Sequence, residues 1–173
     1  MTTNVAKETE RLRIRPYQFG DESDLCGFIS TNRDRLGEYW MDWASRVHSE
    51  EDAHRLIRKA RAGWTMKTLF LFGLWDKRYG IHIGEIVFFN IDLPSAFAEI
   101  GYALASGQEG SGLATEAVQA CVAAMKTIGI RNVRAICRRD NLASQNVAQR
   151  CGFSIQGDEV GPRGFTEYRL QTD

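Results

Sequence analysis

Apolar residues alternate with arginine in "RLRIRP", where Leu12 and Ile14 lie between Arg11, Arg13 and Arg15; a period of two predicts a half-buried strand, ended by Pro16. From Asp21 the period lengthens, and Leu25, Phe28 and Ile29 fall on one face of a helix. The aromatic stretch "RLGEYWMDW" that follows has neither period. A second helix is signalled by Ser49 as cap, by Glu50, Glu51 and Asp52 in its first turn, and by Ala53, Leu56, Ile57 and Ala60 at helical spacing; it is expected to stop near Gly63. "TLFLFGLW" and "IHIGEIVFF" flank the turn "DKRYG" and predict a hairpin, and "AFAEIGYAL" adds a third strand to the meander. After a glycine-rich stretch, Ala117, Val118, Cys121, Val122 and Met125 mark the buried face of a third helix, with Gly129 suited to its C-terminal cap. "RNVRAICR" reads as a strand, "NLASQNVAQRC" as a short helix closed by Gly152, and "FSIQG" and "FTEYRLQ" as two last strands.

The expected order is therefore β-α-α-β-β-β-α-β-α-β-β. That is an α+β fold, a mixed, mostly antiparallel central sheet of about six to seven strands flanked by about four helices. A chain of 173 residues with no linker or repeat fits a single domain over 1–173, in which residues 1–9 form a polar, flexible tail. Lysine plus arginine equals aspartate plus glutamate at 22 each, so no long-range field recruits nucleic acid or an anionic membrane. Cys26, Cys121, Cys137 and Cys151 form no C-x-x-C pair, which argues against a metal site and a disulfide framework. His48, His54 and His82 show no ligand spacing and read as surface or structural. With a polar start and no long apolar run, a cytoplasmic protein is expected, either monomer or homodimer.

The chemistry concentrates in "GQEGSGLATEAV", residues 107–118, where three glycines in six positions precede a helix. Bare backbone at a helix entrance costs conformational entropy and suits an anion, because unpaired N–H groups and the helix dipole both favour negative charge there. A P-loop would need a lysine at the turn, and none stands between Gly101 and Lys126. A dinucleotide fingerprint, G-x-G-x-x-G, fits Gly110 and Gly112 but meets Thr115 at its third glycine, and no βαβ unit precedes it. A third pattern is Gln or Arg, two residues, Gly, one residue, then Gly or Ala; its backbone amides wrap the pyrophosphate of coenzyme A. "EGSGLA", residues 109–114, matches it at Gly112 and Ala114.

Together with "RLRIRP", "RLGEYW", "AEIGYAL", "GLATEAV" and "DNLASQNVAQRCGF", in that order and spacing, this motif makes the chain resemble the GNAT superfamily of N-acetyltransferases. It resembles more narrowly the RimJ/RimL-like branch, typified by ribosomal-protein alanine and serine N-acetyltransferases. The resemblance implies acetyl-CoA as donor and an amine as acceptor, either a protein or peptide α-amine or a small molecule such as a polyamine or amino sugar. A non-catalytic acyl-CoA sensor is the alternative from another class. The coenzyme would lie on Glu109, Gly110, Ser111, Gly112, Leu113, Ala114 and Thr115, with Glu109 replacing the usual Gln or Arg and expected to turn to solvent.

The resemblance further implies that the strand holding Glu99 splays from the one holding Ile136, so that the backbone of Ile100, Tyr102 and Leu104 can bond the pantetheine arm, with an oxyanion-binding N–H near Ile100 or Gly101. Asn141 would contact pantetheine or cap its helix, Ser144 would give the departing thiolate its proton, and Arg150, with Arg138 and Arg139, would meet the 3′-phosphate. Glu99 is the first candidate base, and Glu85, on the neighbouring strand, is the second and a candidate substrate contact. Tyr39, Trp40 and Trp43 are expected to wall the acceptor site.

Overall fold

The computed structural model describes residues 5–39, 44–157 and 164–172. Among them, eight strands form one sheet: β1 (Lys7–Glu8), β2 (Leu12–Pro16), β3 (Phe70–Asp76), β4 (His82–Asp92), β5 (Phe97–Leu104), β6 (Asn132–Arg138), β7 (Ser154–Gly157) and β8 (Phe165–Gln171). Four helices accompany them: α1 (Glu22–Tyr39), α2 (Glu50–Met66), α3 (Leu113–Lys126) and α4 (Leu142–Arg150). The spatial order is β1-β2-β3-β4-β5-β6-β8-β7, antiparallel throughout except between β5 and β6. From β2 onward the chain keeps the expected order of strands and α-helices, with one strand added at its start.

That strand corrects the expected nine-residue tail. Lys7 pairs with Ile14 and Glu8 with Arg13, Val5 is buried, and Thr9 closes the turn by accepting from the Leu12 N–H at 2.9 Å. Two residues of strand escape periodicity because so short a stretch shows no alternation. The end of α2 is a second correction. The helix passes Gly63 and stops at Met66, with Lys67 left-handed at φ 57°. Gly63 is needed there for a close approach: a Cβ would lie 2.7 Å from that of Leu69. The Ser49 cap forms as expected, its hydroxyl accepting from the Asp52 N–H at 3.2 Å.

The period-two pattern sorts the sheet into two faces. Leu12, Ile14, Phe72, Ile86, Phe88, Ile100 and Val133 pack against Ala117, Val118, Cys121 and Met125 of α3. Leu71, Trp75 and Val87, on the opposite face, pack against Leu25, Ile29, Ala53 and Ile57 of α1 and α2. Each fully buried Leu or Ile contributes about 1.5–3 kcal/mol of transfer free energy, so both layers are held chiefly by apolar burial.

The functionally important feature is where pairing fails. The parallel β5–β6 ladder runs only from Phe97/Asn132 to Ile100/Ala135. Beyond it the two strands part, as the resemblance implied. Among the described residues no helix is long and apolar enough to cross a membrane.

Candidate active site

A cleft of about 750 Å³ opens between the parted ends of β5 and β6, with the glycine turn and the start of α3 at one end and α4 along its side. Strand register decides what β5 offers to it. The Ala105 N–H donates to the Ile83 carbonyl at 2.7 Å, which makes 105/83 a hydrogen-bonded antiparallel pair and Leu104/Gly84 a non-bonded one. Alternation then turns the N–H and C=O of Ile100, Tyr102 and Leu104 away from β4, as expected for a partner lying alongside. Those of Gly101 point back to β4. Since Ile100 still lies within the β6 ladder, Tyr102 holds the first free N–H, and Gly101 is removed as an oxyanion donor.

The turn itself is built from three left-handed glycines, Gly107 at φ 83°, Gly110 at φ 77° and Gly112 at φ 83°. L side chains rarely adopt such angles. Arg11 fixes the turn from outside, donating to the Ser111 carbonyl at 2.8 Å and to Glu116 Oε2 at 2.7 Å. Gly112 is the N-cap of α3 and supplies no side-chain cap, so the first amides of the helix keep no partner from that residue. Thr115 lines the cleft with a buried hydroxyl that lacks a hydrogen-bond partner. Open amides, an orphaned hydroxyl and left-handed glycines together fit an anionic ligand laid across the turn.

Of the residues singled out from the sequence, Glu109, Gly110, Gly112, Leu113, Ala114 and Thr115 line the cleft at this end. Ser111 does not; it is exposed, and its hydroxyl donates to the Gln108 carbonyl at 3.1 Å. Glu109 is exposed, but its carboxylate does more than face solvent: it pairs with Arg35 from α1 and accepts from the Gly107 N–H at 2.8 Å.

Ile100, Tyr102 and Leu104 form the β5 wall, and Asn141, Ser144 and Arg150 the α4 wall. Asn141 caps α4 by accepting from the Ser144 N–H at 3.0 Å. The Ser144 hydroxyl donates to the Tyr102 hydroxyl at 3.0 Å, which donates in turn to the Ser144 carbonyl at 2.8 Å. Cys137 Sγ lies 3.2 Å from Ser144 Oγ. Burial pushes the Cys137 thiol up, so it stays protonated, and burial likewise raises the Tyr102 phenol. Arg138 also lines the cleft but is paired with Asp140 at 2.5 Å, while Arg139 is exposed and lies off it.

Glu99 sits where the ladder opens, its side chain buried on the sheet face opposite α3. Its Oε1 accepts from Asn90 at 2.7 Å and from Arg134 at 2.5 Å. Asn90 reaches it from an irregularity between Phe89 and Asp92 of β4, where its own backbone is left-handed at φ 48°. Arg134 is shared with the buried Glu167 at 3.6 Å, and Glu167 pairs with Arg169, so alternating charges cross three strands. Sequence reasoning passed over Asn90, Arg134 and Arg35. Only the left-handed tolerance of asparagine offered a signal for the first.

Glu85 is corrected. It does not line the cleft but is fully buried beneath α1 on the same sheet face as Glu99, where Tyr17 donates to its Oε1 at 3.0 Å. The Tyr17 hydroxyl also meets His82 Nε2 at 2.7 Å, which makes His82 structural, as expected. Burial pushes the Glu85 carboxyl up to about 8 and His82 down to about 4, so both are neutral near pH 7. A carboxyl raised in the folded state contributes stability that is fully present below its unfolded value of 4.5 and lost as pH rises through about 8. Glu85→Gln should therefore gain stability relative to wild type across that window, by at most about 1.4 kcal/mol per pH unit. Urea midpoints at pH 5 and pH 8.5 measure it. Equal differences at both pH values would show that Glu85 is not buried as a neutral acid.

Of the aromatic wall, Tyr39 closes α1, and Trp40 and Trp43 lie outside the described residues. Among the described residues no cluster of His, Cys, Asp or Glu could hold a metal ion.

Comparison with known proteins agrees with this geometry. Residues 11–154 match the model of the acetyltransferase (GNAT) domain. The ribosomal-protein-serine acetyltransferase of Escherichia coli (strain K12) is 29% identical over 160 residues, 90% of this chain and 86% of that protein. Two of the solved structures that share the fold illustrate the likeness. RimL, an α-N-protein acetyltransferase of a ribosomal protein solved with coenzyme A, gives a TM-score of 0.84 at 22% identity, covering 96% of this chain and 97% of that one. A ribosomal-protein-alanine acetyltransferase from Vibrio fischeri gives 0.87 at 21% identity, covering 98% of each.

Proposed function

Because the chain belongs to the GNAT acetyltransferase family, we propose that it transfers the acetyl group of acetyl-CoA to the α-amine of a protein or peptide N-terminus, by direct attack. The reading is carried by one observation: Glu99, with one oxygen already held by Asn90 and Arg134, stands in the mouth of the gap between β5 and β6. A lone carboxylate, acting directly or through one water, is a weak base, and its adequacy depends on the amine. At pH 7 an α-amine with pKa near ~7.7–8.0 costs about 1 kcal/mol to deprotonate, whereas lysine near ~10.4 costs roughly 4–5. The relatives named for ribosomal-protein serine and alanine support the same acceptor class.

In this reading the coenzyme's diphosphate rests on the amides of Gly110–Ala114 and the dipole of α3, and the Thr115 hydroxyl finds its partner there. The pantetheine arm pairs with the outward backbone of Tyr102 and Leu104. Glu99 accepts a proton from the incoming amine, and the Tyr102 N–H stabilises the carbonyl oxygen as it becomes an oxyanion. Ser144 stands ready to protonate the leaving thiolate. Tyr102 holds that hydroxyl in place. Cys137, neutral and without a histidine to activate it, does not form an acyl-enzyme.

Mass-detected transfer from acetyl-CoA to a mixture of peptides with free N-termini, lysine peptides blocked at the N-terminus, polyamines and amino sugars tests the acceptor. Products are expected on the free N-termini. Products confined to polyamines or sugars would assign a small-molecule acceptor, and binding of acetyl-CoA without any product would favour a sensor.

A further inference from the structure

The glycine turn carries no cation of its own, since no lysine or arginine stands between Gly101 and Lys126. A diphosphate held by backbone amides alone leaves most of its charge uncompensated, and three arginines line the cleft: Arg35, Arg138 and Arg150. Arg138 is tied to Asp140, and Arg150 closes α4. Arg35 is different. It comes from α1, on the opposite side of the cleft, and its guanidinium is fastened to both ends of the turn, donating to the Glu109 carboxylate and to the Leu104 carbonyl. One turn earlier on the same helix, the buried Asn32 accepts from the Ser106 N–H at 2.8 Å and donates to the Phe28 carbonyl at 2.8 Å. Residues 104–109 are thus clasped by α1, and Arg35 is the member of the clasp that faces the cleft. Its Nε is buried with no hydrogen-bond partner.

We propose that Arg35 is the cation that meets the coenzyme's diphosphate and that Glu109 is the seat that presents it; this rests on the acetyl-CoA reading above. The charge that a Gln or Arg at the start of the loop motif would place on the turn is supplied here from another element. Glu109, whose negative charge alone would oppose the ligand, is neutralised by the guanidinium it holds. A guanidinium has five donors in a rigid fork, so it can keep Glu109 on one edge and give the other to phosphate oxygens. The edge that turns is the one now on the Leu104 carbonyl. Releasing that carbonyl frees the last outward acceptor of β5 for the pantetheine arm, so diphosphate capture and arm docking occur as one rearrangement.

The test compares ligands with and without the diphosphate. Dissociation constants of acetyl-CoA and of acetylpantetheine, which lacks the diphosphate and nucleotide, are measured by titration calorimetry, the weaker ligand by displacement, for wild type, Arg35→Gln and Arg35→Lys. Thermal unfolding confirms that each protein is folded. Arg35→Gln should weaken acetyl-CoA by at least about tenfold without weakening acetylpantetheine, for which the freed Leu104 carbonyl is an added acceptor. Arg35→Lys, a point charge without the fork, should fall between and serves alone if the glutamine variant does not fold. Equal weakening of both ligands, or of neither, would overturn the assignment and leave Arg35 as a structural clasp. A wild type that binds no acetyl-CoA would instead remove the functional reading on which the assignment rests.

Discussion

Glu99→Gln is expected to lower kcat for acetyl transfer to an N-terminal peptide about a hundredfold at pH 7, the low end of what a positioned base contributes. The amide keeps the size of the side chain and can still accept from Asn90, so substrate KM should change little. Arg134 retains Glu167 as a partner, which limits the structural cost. The signature is in pH. As pH rises through the range near ~7.7–8.0 where an α-amine becomes neutral unaided, the base is needed less, and the deficit should shrink towards pH 9. Steady-state kinetics of both proteins between pH 6 and pH 9 measure this. A deficit that is constant across the range would make Glu99 a positioning group for Arg134 rather than the proton acceptor.

Gly112→Asp is expected to abolish measurable coenzyme binding, at least a hundredfold loss by titration calorimetry, while the protein stays folded. Two effects combine. At φ 83° an L residue is strained by about 1–2 kcal/mol, and its Cβ would lie 3.6 Å from an Arg11 Nη, so the new carboxylate both brings negative charge to the turn and competes for the guanidinium that fixes it. Gly80→Asp is the matched control: also a left-handed glycine, at φ 68° with open space for a Cβ, so the backbone strain is similar, but it lies in the turn between β3 and β4, off the cleft. Coenzyme binding in that variant should stay within a few fold of wild type. Similar losses in both variants would trace the effect to backbone strain and not to charge at the site.

What the sequence could reveal divides along physical lines. Local patterns were strong wherever one face of an element is buried. The alternation of Leu12 and Ile14, the helical spacing of Ala117, Val118, Cys121 and Met125, and the Ser49 cap each reappear in the fold. The glycine turn was legible because left-handed backbone restricts residue type at the site itself. The strand Lys7–Glu8 was too short to show a period, and α2 passes Gly63 because that glycine serves a tertiary approach to Leu69 rather than a cap. Long-range partners left no local trace. Arg35 lies 74 residues from Glu109, and Arg134 lies 35 from Glu99; no spacing rule links either pair. Glu85 was misread because strand alternation gives it the same face as Glu99, while α1 covers that face at Glu85 and leaves it open at Glu99. Which half of a face a helix covers is decided by packing, not by the strand.

The most direct test of the account is to map acetyl-CoA onto the backbone of the isotopically labelled protein by amide chemical-shift perturbation. The largest shifts are expected at the N–H groups of Gly110–Ala114 and Tyr102, with amides on α2 and β1 unmoved. Saturable binding that left Gly110–Ala114 unshifted would contradict the claim that this bare turn exists to hold the coenzyme's diphosphate.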